Sequence, residues 1–212
     1  MIITNQGLEF FKVQFGDTIL AFNPISKESK LKASRFGSDV ALISLNHPDT
    51  NGAESVTYSD REPMVISGPG EYEVKEVFIK GFSSQTTYGG KERINTVYFV
   101  TLEGMNICFL GAIGDKTLSK EAQESLENVD ILFVPIGGDG VLDAEEAYKF
   151  SVSLEPKIII PMHYDLPSAK GALAMFLKEA GEDKTAPIDK LTIKKKDLEG
   201  KDGEVIVLAS VN

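Results

Sequence analysis

Two histidines and one aspartate are the residues of this sequence that could bind a metal ion. His47 and His163 are the only histidines among 212 residues, and Asp49 follows His47 at a spacing of two. Two imidazoles and a carboxylate are an acceptable ligand set for zinc or ferrous iron. An ion held in this way lowers the pKa of a bound water molecule towards neutrality and makes it a nucleophile. The three side chains are therefore a candidate site for one metal ion and for hydrolysis.

Each histidine comes directly after a short apolar segment that predicts a buried strand, residues 39–43 before His47 and residues 157–160 before His163. In open α/β sheets, ligands bind beyond the carboxyl ends of the strands, so we expect both histidines to face one crevice. A structural role is the alternative, because a loop histidine can simply hydrogen-bond a neighbouring backbone group. The sequence leaves both interpretations open.

Composition and charge indicate a globular protein and limit its partners. The chain is 42% hydrophobic and 25% charged, and no linker, charge block or repeat divides it, which predicts a single domain over residues 1–212. The formal net charge of −10 argues against a nucleic-acid partner, because binding to a phosphate backbone requires a basic surface. A small molecule, another protein or a second copy of the chain remains as the partner.

The cysteine content and the hydropathy predict the cellular compartment of the protein. Cys108 is the only cysteine, so neither an intrachain disulfide nor a cysteine-based zinc cluster can form, and its apolar neighbours predict a buried thiol. The N-terminus lacks the basic and apolar regions of a signal peptide, and no stretch reaches the roughly 18 apolar residues of a membrane span. We therefore expect a cytoplasmic protein that does not enter a membrane.

The apolar pattern changes its period along the chain, and the change predicts the fold. Up to residue 110, short strands alternate with turns, and Gly16-Asp17 suits a two-residue hairpin. After Gly111 a helical period appears, and predicted helices alternate with buried strands at residues 130–135 and 157–160. Antiparallel strands followed by strand-helix-strand units predict an α/β (α+β) protein built as a four-layer αββα sandwich.

Three helices are predicted in the second half. The first covers residues 119–127 and the last covers residues 167–180. The helix between them has the clearest start signal, with Asp143 as N-cap and Glu146 three residues later, and it ends before Pro156.

Five segments, in chain order, resemble the landmarks of the metallo-β-lactamase superfamily. The resemblance is nearest to its branch of predicted metal-dependent hydrolases that includes ascorbate-phosphate lactonase. The segments are residues 44–51, 68–74, 106–114, 130–138 and 160–164. The resemblance covers almost the whole chain, and it implies the αββα fold and a parent activity of metal-assisted hydrolysis of an ester, lactone or phosphoester.

The resemblance also implies where metal ligands should stand. The four ligand positions of the family's His-x-His-x-Asp-His signature fall on Leu45, His47, Asp49 and Thr50. A further family histidine is expected in a loop after a strand ending at Gly81, where Gln85 and Thr86 are the nearest candidates. The bridging aspartate corresponds to Ala112, with Asp115 no obvious substitute, and the last histidine is retained as His163.

These losses affect both metal positions of the family. The first position would keep only His47, and the second would keep Asp49 and His163. A catalytic zinc ion needs three protein ligands and an open position for water, so neither position is complete. The resemblance therefore implies a degenerate site that holds either no metal or one weakly bound zinc, manganese or iron ion, and it argues against a dinuclear centre.

Two hypotheses follow for the function. The first is a non-catalytic or impaired relative of the hydrolases that acts by binding a small ligand or a protein. The alternative is a mononuclear hydrolase of an ester, lactone or phosphoester, with His47, Asp49 and His163 as ligands and a bound water as nucleophile. Whether the protein is an enzyme is left open, and no other catalytic or cofactor-binding residue is assigned.

Overall fold

Two β-sheets pack face to face in the computed structural model, which describes residues 1–211. The first sheet contains β1 (Ile2–Asn5), β2 (Phe11–Phe15), β3 (Thr18–Phe22), β4 (Val40–Leu42), β5 (Met64–Ile66) and β12 (Leu191–Thr192). The second contains β6 (Gly70–Val74), β7 (Val77–Thr86), β8 (Arg93–Leu102), β9 (Met105–Phe109), β10 (Ile131–Pro135), β11 (Ile158–Met162) and β13 (Glu204–Val205). Their orders are β12-β1-β2-β3-β4-β5 and β13-β11-β10-β9-β8-β7-β6.

Aromatic side chains from both sheets form the centre of the core. The rings of Phe22 in β3 and Phe109 in β9 have centroids 4.9 Å apart, and Phe11 in β2 lies 4.8 Å from Phe133 in β10. All four side chains are fully buried. Tilted and edge-to-face ring pairs of this kind add a specific attraction to the burial of apolar area, so they fix how the two sheets face each other.

Helices cover the outer face of the second sheet. They are α1 (Lys120–Ser125), α2 (Ala144–Ser153) and α3 (Ala172–Glu179). The outer face of the first sheet is covered by a 3₁₀ helix, Ala53–Val56, and by the loop that contains Leu31 and Phe36, with no α-helix there among the described residues. The predicted mixed αββα sandwich is confirmed, with its layer over the first sheet built from irregular backbone.

Local signals placed several elements correctly. Asp143 caps α2 and accepts a hydrogen bond from the Glu146 backbone N–H at 2.9 Å. The α2 crossover joins β10 to β11 as a parallel pair, and the hairpin at Gly16 joins β2 to β3. Within residues 1–211 no helix is long and apolar enough to cross a bilayer.

Two predicted boundaries were wrong. The helix predicted over residues 167–180 is divided, because Gly171 adopts a left-handed φ of 88° between a 3₁₀ turn, Pro167–Ala169, and α3. The strand expected to end at Gly81 continues to Thr86, since residues 82–86 pair with β8 and alternate between buried and exposed positions. The segment interpreted as a loop is therefore strand, and the chain leaves the sheet only at residue 87.

Candidate functional site

The predicted ligands gather at one end of the sandwich, where β4, β7 and β11 end. His47 lies in the loop after β4, and His163 directly follows β11. His163 adopts a left-handed φ of 62°, and its backbone N–H donates to the Leu8 carbonyl at 3.1 Å. As expected from the strand ends, both histidines face one location. An unpredicted residue, Tyr88, lies there as well.

The Tyr88 ring contacts both histidines. Its centroid lies 4.9 Å from the His47 ring and 4.8 Å from the His163 ring, and both contacts are edge-on. The side chain is 7% exposed and packs in a buried apolar cluster with Leu45 and Ala112. These two residues stand at positions that the family resemblance assigns to a histidine and to the bridging aspartate. An aromatic ring thus packs against apolar side chains at two positions where the resemblance implies metal ligands.

Gly140 fixes the backbone from which Tyr88 enters the site. The Thr87 N–H donates to the Gly140 carbonyl at 3.2 Å, and the Thr86 hydroxyl donates to the same oxygen at 2.8 Å. A Cβ on Gly140 would lie 2.5 Å from the Tyr88 nitrogen, so any side chain there would push this segment away. The close approach of two backbones holds Tyr88 in place.

Both carboxylate oxygens of Asp49 are already hydrogen-bonded. The Ser29 hydroxyl donates to Oδ1 at 2.5 Å, and the Tyr88 hydroxyl donates to Oδ2 at 2.6 Å. Burial, together with this hydrogen bond to a negatively charged acceptor, raises the pKa of Tyr88 well above its ordinary value. Tyr88 therefore remains a neutral hydrogen-bond donor at physiological pH, and Asp49 binds hydroxyl groups where the hypothesis expected a metal ion.

His47 is oriented by the loop in which it lies. Its Nδ1 accepts the backbone N–H of Asp49 at 3.2 Å, so the neutral imidazole carries its proton on Nε2. Burial lowers the pKa of His47, and the positive charge of Arg93 also lowers it, while the Asp49 carboxylate acts in the opposite direction. The ring is therefore neutral at pH 7 and presents an N–H donor at Nε2.

His163 pairs with Glu9, a carboxylate that the sequence interpretation missed. Its Nδ1 lies 2.5 Å from Glu9 Oε1, and both side chains are buried. Glu9 Oε2 accepts from the Asn23 amide at 2.7 Å, and that amide also donates to the Ser44 hydroxyl at 2.8 Å. A carboxylate on one ring nitrogen is the arrangement that orients metal-binding histidines, and here it holds His163 beside the Tyr88 ring.

The other side chains at or near the ligand positions implied by the resemblance either hydrogen-bond the backbone or are exposed to solvent. The Thr50 hydroxyl donates to the Leu45 carbonyl at 2.7 Å and closes the loop on itself. Thr86 is engaged with Gly140, and Gln85 is exposed. Asp115 is also exposed and accepts from Thr117. None of these side chains replaces a missing ligand.

The described residues do not fit the metal that the resemblance implies. Over residues 1–211, no group of three or more histidine, cysteine, aspartate or glutamate side chains is arranged to hold an ion. A zinc ion must come within about 2.0–2.2 Å of each ligand atom. His47, Asp49 and His163 do not form such a group, and the Tyr88 side chain contacts all three of them.

Comparison with known proteins supports the same fold family. A family model described as a beta-lactamase superfamily domain matches residues 3–163. A UPF0173 metal-dependent hydrolase from Thermoplasma acidophilum is 26% identical, over 70% of this chain and 74% of that relative. Another, from Listeria innocua, is 26% identical, over 78% of this chain and 86% of its own length.

A solved structure gives the same result for the whole fold. A metallo-β-lactamase superfamily protein from Thermotoga maritima is 27% identical and superposes with a TM-score of 0.76, covering 98% of this chain and 97% of its own. The family model matches most of the chain, and both the paired sheets and this superposition agree with that match. The chain belongs to the beta-lactamase superfamily and has the metallo-β-lactamase fold.

Proposed function

We propose that this protein is a non-catalytic or strongly impaired member of its hydrolase family, and that it acts by binding a small ligand or a protein at the remnant cleft. The observation that carries the proposal is the Tyr88 ring, which contacts both histidines and hydrogen-bonds Asp49. Metal-assisted hydrolysis needs an ion with an open position for water. In this cleft an aromatic ring takes that place.

Displacing Tyr88 has a clear energetic cost. Moving the ring into water would lose its burial against Leu45 and Ala112, a loss on the order of 2 kcal/mol. It would also break the hydrogen bond to the Asp49 carboxylate, which contributes about 1.5–3 kcal/mol for a charged acceptor. A weakly coordinating site with three ligands would have to supply both amounts before it gained any net affinity.

The alternative is a mononuclear hydrolase of an ester, lactone or phosphoester. The relatives named metal-dependent hydrolases support a divalent ion, and the buried Glu9 beside His163 supports an oriented ligand. This function would place zinc, manganese or iron on His47, Asp49 and His163 after Tyr88 had moved away.

Elemental analysis separates the two functions. Protein purified without chelator, and then incubated with zinc, manganese or ferrous iron, would be measured beside His47→Ala and His163→Ala, with circular dichroism as the check of folding. We expect less than one tenth of an equivalent of metal in the wild type, and no turnover of ester, lactone or phosphoester substrates. A full equivalent that is lost in both folded variants would contradict the proposal and support the hydrolase.

A further inference from the structure

We infer that the ligand of this protein is a small zwitterion with an apolar side chain, the chemistry of a free hydrophobic amino acid, and that it binds in a cavity beside the remnant cleft. The inference rests on the proposed function, because it gives that binding a ligand class and a place. Three observations support it. The cavity shares contacts with the cleft, its wall is apolar, and it holds one charged side chain of each sign without an ion-pair partner.

The cavity has a volume of about 400 Å³. It lies where the segment after β1, the loop after β3 and the segment after His163 meet. Ligand pockets commonly have volumes of about 300–1,000 Å³ and are mostly apolar with a few polar groups, so this one suits a single small molecule. The lining residues that matter for its chemistry are Leu8, Ile25, Leu31, Lys32, Asp165 and Leu166.

Leu8 connects the cavity to the cleft. Its backbone N–H donates to Asp165 Oδ2 at 3.0 Å, and its carbonyl accepts the His163 N–H at 3.1 Å. Its backbone has a left-handed φ of 55°, which is uncommon for a residue with a side chain, and these two hydrogen bonds stabilise it. Leu166 packs against the apolar cluster that contains Tyr88. A ligand in the cavity therefore contacts residues that also contact His163 and the Tyr88 cluster.

Aliphatic side chains form the wall of the cavity. Leu8 and Ile25 are buried, whereas Leu31 and Leu166 are only half-buried. An apolar group in the cavity would remove part of the remaining aliphatic surface from water, which is favourable in proportion to the area covered. The wall therefore predicts a ligand with an apolar side chain.

Asp165 and Lys32 line the same cavity but do not pair with each other. Within residues 1–211, neither side chain takes part in an ion pair. The Leu8 N–H holds the Asp165 carboxylate in place through Oδ2. The ammonium group of a zwitterion can then bind Asp165 while its carboxylate binds Lys32.

The charge of the whole chain agrees with a zwitterion. The formal net charge of −10 repels a simple anion at long range. A zwitterion has no net charge and does not meet this repulsion. It is also the small ligand that satisfies both charged side chains of the cavity at once.

Two substitutions remove these charges with little change of shape. Asp165→Asn keeps a side-chain oxygen that can accept the Leu8 N–H, and Lys32→Gln changes an exposed side chain. Lys30→Gln, in the same loop as Lys32, and Asp183→Asn are matched controls, because both residues are exposed and neither lines the cavity.

The test adds L-leucine to the whole chain and follows the backbone amide signals of Leu8 and Leu166 by NMR. Three comparison compounds each lack one group: 4-methylpentanoate lacks the ammonium, leucinamide lacks the carboxylate, and glycine lacks the side chain. We expect a saturable shift with L-leucine. Affinity should be about threefold to fivefold weaker for the first two compounds, as for an ion pair near the surface. Glycine should bind about tenfold more weakly, because it covers no aliphatic wall.

The charge variants assign each end of the ligand. Asp165→Asn should weaken the binding of L-leucine by about threefold to fivefold and leave that of 4-methylpentanoate unchanged. Lys32→Gln should weaken the binding of L-leucine by the same factor and leave that of leucinamide unchanged. Lys30→Gln and Asp183→Asn should bind like the wild type.

The outcomes separate this inference from the proposed function. The inference is wrong if L-leucine gives no saturable shift, if the shifts lie away from Leu8 and Leu166, or if all four compounds bind equally. L-leucine binding together with a full equivalent of metal supports the cavity and contradicts the non-catalytic function. Metal-free protein that does not bind L-leucine contradicts the cavity alone.

Discussion

The Tyr88 hydroxyl donates a 2.6 Å hydrogen bond to the Asp49 carboxylate, and it thereby joins the segment after β7 to the loop after β4. The family resemblance implies metal ligands in both of these regions. Here a side-chain hydrogen bond connects them. The connection predicts that the end of the sandwich depends on Tyr88 for stability.

We expect Tyr88→Phe to lower the free energy of unfolding by about 1–3 kcal/mol, because it leaves a partly buried carboxylate short of one donor. Tyr88→Ala should cost more, about 3–5 kcal/mol, since it also removes a buried ring. Urea denaturation followed by circular dichroism measures both values. Tyr58→Phe is the control, because Tyr58 is 65% exposed and should change by less than about 0.5 kcal/mol. Equal losses for Tyr58→Phe and Tyr88→Phe would contradict the role of the hydroxyl.

Replacing the buried carboxylate of Glu9 should be destabilising. Glu9→Gln keeps the size of the side chain but replaces the carboxylate that contacts His163 Nδ1, and leaving a buried hydrogen-bonding group without its partner costs about 1–3 kcal/mol. The same denaturation assay measures the loss. Glu92→Gln, at an exposed position, provides the comparison and should be near neutral. A Glu9→Gln variant as stable as the wild type would show that the carboxylate does not hold His163.

Chelation should leave the stability unchanged. Hydrogen bonds from Tyr88 and Ser29 already occupy both oxygens of Asp49, so we expect the folded loops to stay together without an ion. We expect the melting temperature to differ by less than about 1 °C with and without EDTA. An ion with micromolar affinity, supplied at 100 times its dissociation constant, would instead stabilise the fold by about 2.7 kcal/mol. A zinc-dependent rise in the melting temperature that disappears in His47→Ala would contradict the prediction.

Asp130 should contribute stability that the protein loses at acid pH. Burial by itself would raise the pKa of Asp130, but hydrogen bonds from Lys157 and Lys195, each at 2.7 Å, outweigh this and hold the pKa below its ordinary value. The unfolded chain therefore binds the proton more readily than the folded one. The contribution is fully present above the unfolded pKa of about 3.9 and is lost as the pH falls through the folded value.

Measurement of the unfolding free energy between pH 2 and pH 6 tests this prediction. Asp130→Asn should be less stable than the wild type at pH 6, by about 1–3 kcal/mol, and should lose less stability on acidification. Asp17→Asn, at an exposed turn, is the matched control. Parallel curves for the wild type and Asp130→Asn would contradict the assignment.

Local patterns predicted much of the fold because their physical causes are local. The Asp143 cap, the hairpin at Gly16 and the alternation of buried strands with helices depend on hydrogen bonds and burial within a few residues. The boundaries that failed had non-local causes. Residues 82–86 contain several serine and threonine residues and suggest a loop, yet pairing with β8 makes them strand.

The candidate site was only partly predictable for the same reason. His47, Asp49 and His163 could be found because histidine is rare in this chain and follows strands. Tyr88 carries no local signal of a role in the cleft, since its contacts come from loops 39 and 75 residues away. Glu9 lies between the apolar residues Leu8 and Phe10. A glutamate at such a position was the signal in the sequence that its side chain is buried and has a polar partner.

The close approach of Gly140 to Tyr88 suggests a marker, readable in genome sequences, for members of the family that lack the histidine signature. A chain with an aromatic residue after β7 must keep position 140 free of a side chain, since a Cβ there would displace the segment that carries the ring. We expect the aromatic residue at the position of Tyr88 and the glycine at the position of Gly140 to occur together in relatives that lack the histidine signature. Where the signature is complete, the two positions should vary independently. Such a paired sequence marker would sort family members before any protein is purified.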